Sequence, residues 1–236
     1  MSPSIDWSRI ERFIGYGRID APIVFVGMEE GLASEQDLDH DLEARSAFSP
    51  VMDLEEAHRT IAEGDNLFTD SPRRQPTWRV MADLMLQYEK QRFPDAQSRA
   101  LARKIYRAKR LGRSSGKTLL TELLPYPHRR TSSWLYSRFG RYTTREEYVS
   151  KLLPERQALI RHALFAFQRA AIICYGRSDW LNFKAMFPEV QWVPVLRFEC
   201  AAWRGARIIL CDHFATKYFN TDTQLNEFAA VVLPEC

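Results

Sequence analysis

The chain has 236 residues, 45% of them hydrophobic and 27% charged, with a net charge of +3. These values fit one large globular domain with a real core and exclude the disordered and fibrous classes. No apolar run approaches the roughly 18 residues that span a bilayer, and Met1-Ser2-Pro3-Ser4-Ile5-Asp6-Trp7 has no basic stretch followed by an apolar one. The expectation is therefore a cytoplasmic protein without a signal peptide or membrane partner.

In chain order, Trp7, Ile10, Phe13 and Ile14 recur at helical spacing over Ile5 to Tyr16, and Gly15 and Gly17 close that helix. Pro22-Ile23-Val24-Phe25-Val26-Gly27 is a continuous apolar run, as in a strand buried on both faces. Acidic, turn-rich sequence follows to about Pro50. Helices are predicted over Asp53 to Glu63, over Pro76 to Gln91, where Pro76 suits a first turn, and over Ala96 to Leu111, which is basic. Thr118 to Leu124 reads as a second strand, stopped by Pro125 and Pro127, and Glu155 to Phe167 as a helix after Pro154. Ala171 to Gly176 is a third buried strand, with a helix from Ser178 to Phe187. Strands over Val190 to Leu196 and Ala206 to Cys211 precede a last helix, Asp222 to Val232, capped by Thr221 or Asp222.

Apolar strands alternating with helices predict a single α/β domain over 1–236: three layers, α/β/α, around a central, mainly parallel sheet of four to five strands. A helical, basic insertion is expected at about 52–115. In such sheets ligands bind beyond the carboxyl ends of the strands, so the loops after Gly27, Leu124, Gly176 and Cys211 are where a site belongs.

Charge is unevenly spread. Glu29 to Asp70 holds thirteen acidic and two basic residues, whereas Arg99 to Arg145 holds thirteen basic residues against Glu122 alone. Within and beside the basic run stand Tyr106, Tyr126, Trp134, Tyr136, Phe139 and Tyr142. Cations neutralise phosphates and aromatic rings stack on bases, so the run reads as a nucleic-acid surface, with a merely solvated or lid-like helix as the alternative.

Cys174, Cys200, Cys211 and Cys236 form no C-x-x-C pair, which argues against a zinc ribbon or a disulfide framework. Cys211-Asp212-His213 alone lacks the spacing of a metal site, and neither metal nor cofactor is expected. Gly112-Arg113-Ser114-Ser115-Gly116-Lys117-Thr118 is one residue short of a phosphate loop and lies between a helix and a strand, the reverse of the required order. It reads as a basic turn. Gly27-Met28-Glu29-Glu30-Gly31 follows the first strand directly, where a carboxylate is either partly desolvated in a site or at the start of a solvated loop. His213 follows the apolar run ending at Cys211, so the sheet would hold both near one cleft.

The order strand–Gly27-Met28-Glu29-Glu30-Gly31, strand with a polar residue before a Pro-containing loop, apolar strand–Gly176–helix and strand–His213 resembles the uracil-DNA glycosylase superfamily over roughly Ile23 to Val232. The first segment is similar to the G-M-N-P-G motif of its single-strand-selective branch, with Glu29 where the water-positioning residue stands and Glu30 in place of Pro. His213-Phe214-Ala215 keeps the histidine of the family's His-Pro-Ser motif. The iron–sulfur branch is excluded, because no N-terminal cysteines exist to hold a cluster.

The resemblance implies a DNA glycosylase acting on a flipped base, with Glu29 and His213 catalytic and Gly27, Met28, Gly31, Phe48 and Glu122 around the base. Glu122 aligns with an Asn that reads the pyrimidine edge. As an ionised acceptor it would suit the exocyclic amine of cytosine and repel O4 of uracil, the alternative being a solvated strand end or a salt bridge. Gly31 stands where uracil-specific members place a Tyr against 5-substituents. A cytosine with a bulky, even glucosylated, 5-substituent fits both changes, and the chain also looks similar to phage-defence glycosylases that attack such DNA. Phe48 is the stacking candidate, or else a core residue. Arg103, Lys104, Arg107, Arg110, Arg129 and Arg130 would hold phosphates, and Lys217 and Tyr218 would enter the vacated groove. No obligate protein partner is implied. A non-catalytic nucleic-acid sensor, or an α/β enzyme acting on a free nucleotide, are the competing expectations.

Overall fold

The computed structural model describes residues 5–32, 34–61, 67–69, 75–128 and 134–233. Its centre is a mixed sheet of eight strands: β1 (Gly15–Gly17), β2 (Ile23–Glu29), β3 (Val51–Met52), β4 (Thr118–Leu124), β5 (Ala171–Tyr175), β6 (Val193–Val195), β7 (Phe198–Trp203) and β8 (Ala206–Cys211). They run in the order β3-β1-β4-β2-β5-β8-β7-β6. The middle four, β4-β2-β5-β8, are mutually parallel, as the alternation of strands with helices predicted. Four of the expected strands form its centre; of the flanks only the strand expected over Val190 to Leu196 was foreseen, as β6, whereas β1, β3 and β7 were not. β1 pairs antiparallel with β4, and β7 and β6 fold back from β8 as an antiparallel hairpin. The strand expected over Val190 to Leu196 is present as the shorter β6, the outer arm of that hairpin.

The helices are α1 (Trp7–Arg12), α2 (Leu38–Arg45), α3 (Leu54–Thr60), α4 (Pro76–Tyr88), α5 (Ala96–Lys109), α6 (Arg145–Phe165), α7 (Trp180–Ala185) and α8 (Asp222–Val232). They cover both faces of the sheet. Along β2, Ile23 and Phe25 pack with residues of α3, α4 and α8, while Val24 and Val26 pack with those of α6 and α7. This is the two-residue alternation of a strand buried on both sides. Among the described residues no helix is long and apolar enough to cross a membrane.

Two helix expectations change. The first helix stops at Arg12, and Gly15 to Gly17 form β1 instead; a Cβ at Gly15 would collide with the Leu120 carbonyl, so the close approach to β4 requires glycine. The long helix begins at Arg145 rather than after Pro154, because Thr144 caps it by accepting from the Glu147 amide at 3.1 Å. Burial of Tyr148, Leu152, Leu153 and Arg156 carries it through Pro154, offsetting the hydrogen bond that proline removes.

A candidate active site at the carboxyl ends of four parallel strands

The parallel order places the ends of β4, β2, β5 and β8 side by side, and a cavity of about 250 Å³ opens there. Its sheet-side wall carries Glu29 and Glu30 from the end of β2, Glu122 from β4, Tyr175 from the end of β5 and His213 just beyond β8. The rest of the lining includes Tyr16 from β1, the sheet neighbour of β4, together with His58 from α3 and Trp78 from α4. The acid of the first strand and the imidazole of the last parallel one therefore share one cavity.

Glu29 is largely buried, with Oε2 accepting from Arg145 at 2.6 Å and 4.0 Å from Nδ1 of the buried His128. Arg145 occupies the first turn of α6, so the Thr144 cap that starts that helix also delivers a cation to the end of β2. Burial and the neighbouring Arg145 lower the His128 pKa from its ordinary value. Glu30 makes a second ionic group: its Oε2 lies 2.9 Å from Arg45 and accepts from the Tyr16 hydroxyl at 3.0 Å. Burial alone would raise the Glu30 carboxyl, but Arg45, helped by His58 and the two hydrogen bonds, outweighs it and holds the pKa below normal.

Glu122 differs. Its Oε1 accepts from the Tyr175 hydroxyl at 2.7 Å, and its buried Oε2 has no hydrogen-bond partner among the described residues. Burial pushes its pKa up to about 8, the Tyr175 bond opposing and the charges of Glu30 and Glu29 adding. The ionised acceptor expected from the sequence is thus a mainly protonated acid near neutral pH, because desolvation without a facing cation favours the neutral form. Gly27 makes room for this pair. A Cβ there would collide with the Glu122 carboxyl and stand 2.5 Å from the Tyr175 hydroxyl.

His213 is exposed, with its ring centroid 5.6 Å from that of Tyr175. Its Nδ1 accepts from the Ala215 amide at 3.2 Å, which places the proton of the neutral ring on Nε2. Phe214, where the resembled motif has Pro, is buried and stacks on Tyr175 at 4.8 Å, anchoring the loop that carries His213. Cys211, Asp212 and His213 face three different partners: the Cys174 carbonyl, the arginines Arg177 and Arg197, and the Ala215 amide.

No family model, curated protein or solved structure matches this chain.

The remaining expected site residues divide. Gly31 lines the cavity, with nothing within 4 Å of where a Cβ would stand. Met28, expected beside the base, points to the other face of β2, where it meets Asn182 and the α6–α7 side of the core; strand alternation requires this once Gly27 and Glu29 face the cavity. Phe48 is also corrected, being buried against Phe13 at 5.6 Å within the core. Trp78 and Tyr16 are among the rings that line the cavity, with Phe13 and Tyr175.

The basic helix is mostly structural. Arg103 bonds Asp222 at 2.8 Å and Asp83 at 3.3 Å, Arg99 grips the same buried Asp83 at 2.8 and 2.6 Å, and Arg107 is buried. Arg110 makes a two-pronged contact with Glu89, both bonds 2.7 Å. Arg99, Arg103 and Arg110 thus fasten α5 to α4 and α8, while Lys109 and Lys117 remain exposed. Lys104 is partly buried on that helix and Lys217 is exposed near α8. Tyr218, expected to enter a groove, is held by Glu227 at 2.5 Å and lies under Arg197 at 3.7 Å. Arg129 and Arg130 lie outside the described residues.

Proposed function

We propose that this chain is a DNA N-glycosylase that releases an everted, 5-substituted cytosine and leaves an abasic site. The observation that carries the reading is the meeting of Glu29 and His213 in one cavity at the carboxyl ends of the parallel strands. Breaking an N-glycosidic bond builds positive charge on the sugar and negative charge on the departing base, so an acidic group and a hydrogen-bond donor on opposite sides of the bond are what it requires. Glu29 orients the attacking water and offsets the sugar's charge, and Nε2–H of His213 donates to the base oxygen. Tyr16 and Trp78 flank the base, and the open space at Gly31 admits its 5-substituent. The polar and aromatic wall of Tyr16, His58 and Trp78 suits a hydroxylated substituent such as a glucosyl group, which makes hypermodified phage DNA the natural substrate. Eversion costs a few kcal/mol in duplex DNA and less in single strands.

The test is incubation with oligonucleotides carrying cytosine, hydroxymethylcytosine and glucosylated hydroxymethylcytosine, followed by alkaline cleavage at abasic sites. Strand breaks are expected at modified positions alone. Glu29→Gln and His213→Ala should stay folded and lose at least about a hundredfold in rate. No cleavage of any substrate by the wild-type protein, or near wild-type rates in both variants, refutes the reading.

A further inference from the structure

Four carboxyls line this cavity, Asp41 of α2 and three at the strand ends, and the surroundings of those three are unequal. Glu29 has Arg145 and Glu30 has Arg45. Arg156, which also lines the cavity, spends its donors on the main-chain carbonyls of Glu11, Glu122 and Leu123. Glu122 has only a phenol. The cavity that holds its carboxyl is lined by Glu29 and Glu30 at the end of β2, Tyr175 from β5, Tyr16 from β1, Asp41 and Arg45 from α2, His58 from α3, Arg156 from α6 and His213 beyond β8; neither arginine bonds the Glu122 carboxyl, Arg45 Nη1 serving Glu30 and Tyr16 and Arg156 the main-chain carbonyls. The Tyr175 hydroxyl stays protonated, since burial and the Glu122 carboxyl hold its pKa well above normal. Where one carboxyl of a facing set is ion-paired and another is desolvated without a cation, the first is the base and the second the acid.

We propose that Glu122 is the general acid of the reaction, delivering its proton to N3 of a departing cytosine-type base while Glu29 takes a proton from the attacking water. This rests on the glycosylase reading and deepens it by naming the base class. The bond between C1′ and N1 breaks with its electron pair going to the base, whose N3 gains the Glu122 proton, so the base leaves neutral. The water oxygen bonds C1′ and its proton goes to the Glu29 carboxylate. Exchange with solvent returns both groups to their starting forms, and the sum is addition of one water across the bond. Cytosine has a free electron pair at N3 and leaves poorly without protonation, whereas uracil carries a hydrogen there. An acid at Glu122 therefore selects for cytosine through the chemical step rather than through pairing alone.

The experiment is single-turnover release of glucosylated hydroxymethylcytosine from an oligonucleotide, followed across pH for the wild type, Glu122→Gln and Glu122→Asp. The wild-type rate should fall on the alkaline side as Glu122 ionises near its value of about 8. Glu122→Gln keeps the shape and the bond to Tyr175 but has no proton to give; kcat should drop roughly a hundredfold with little change in KM, and the alkaline limb should vanish. Glu122→Asp should regain part of the rate together with a limb. A Glu122→Gln enzyme with the wild-type kcat and profile, or with only a raised KM, overturns the acid role and leaves the glycosylase reading standing. A wild-type protein that releases no base from any substrate fails the reading itself and takes this inference with it.

Discussion

Replacing Glu122 with Gln should change how the stability of the fold depends on pH, and in a direction that the structure dictates. The native carboxyl titrates at about 8, against 4.5 for an ordinary glutamate, chiefly because burial disfavours its charged form. Between those values the folded protein holds a proton at Glu122 that the unfolded chain has released. Stability contributed by this group is therefore greatest at acid pH and is lost as pH rises through the window, at about 1.4 kcal/mol per unit of pH. From pH 6 to pH 7 the wild type should lose about 1.4 kcal/mol that the variant does not, since glutamine cannot ionise. Other titrating groups, among them His128, are common to both proteins and cancel in the comparison. Urea unfolding at the two pH values gives the numbers through the midpoints, provided that the slopes agree. Parallel pH dependence in the two proteins would refute the placement of Glu122 as a desolvated, cation-free acid.

Other expectations follow from named contacts. Gly27→Ala should destabilise by about 1–3 kcal/mol and abolish base release, because the added methyl displaces the Glu122–Tyr175 pair; Gly31→Ala, facing open space, should stay within about 0.5 kcal/mol of wild type in the same unfolding assay. Arg103→Ala should cost about 1–2 kcal/mol, since it removes bonds to Asp83 and Asp222 while Arg99 still pairs the buried Asp83, and it should leave the salt slope of oligonucleotide binding unchanged. A reduced slope would return that arginine to the phosphate surface. Leu196, the first of two residues joining β6 to β7, sits 69% exposed at a φ of +57°, so Leu196→Gly should raise stability by about 1 kcal/mol, read as a higher thermal midpoint.

Three of the four parallel strands were legible because their runs, such as Ile23 to Val26 and Ile208 to Cys211, are apolar on both faces, and Thr118 to Leu124 was legible, despite Thr121 and Glu122, because Pro125 and Pro127 stop it. β1 and β3 were hidden because pairing, not propensity, creates them: Gly15-Tyr16-Gly17 looks like a helix stop until β4 lies beside it. Glu29 and His213 could be placed from strand ends alone. Arg45 carried a readable signal, as one of two basic residues among thirteen acids. Tyr175 did too, as a hydroxyl closing an otherwise apolar strand. The ion pairs of the basic helix were not legible, because composition records charge without its partners. Asp83, Glu89 and Asp222 lie elsewhere in the chain, and only folding brings them to Arg99, Arg103 and Arg110.

The outer strands of the sheet have a further consequence. One margin is β3, two residues long; the other is β6, three residues long with Pro194 at its middle. Neither offers a continuous row of free amides and carbonyls, so a second molecule gains little by adding its own strand. Self-association by sheet extension is thereby discouraged even at high concentration.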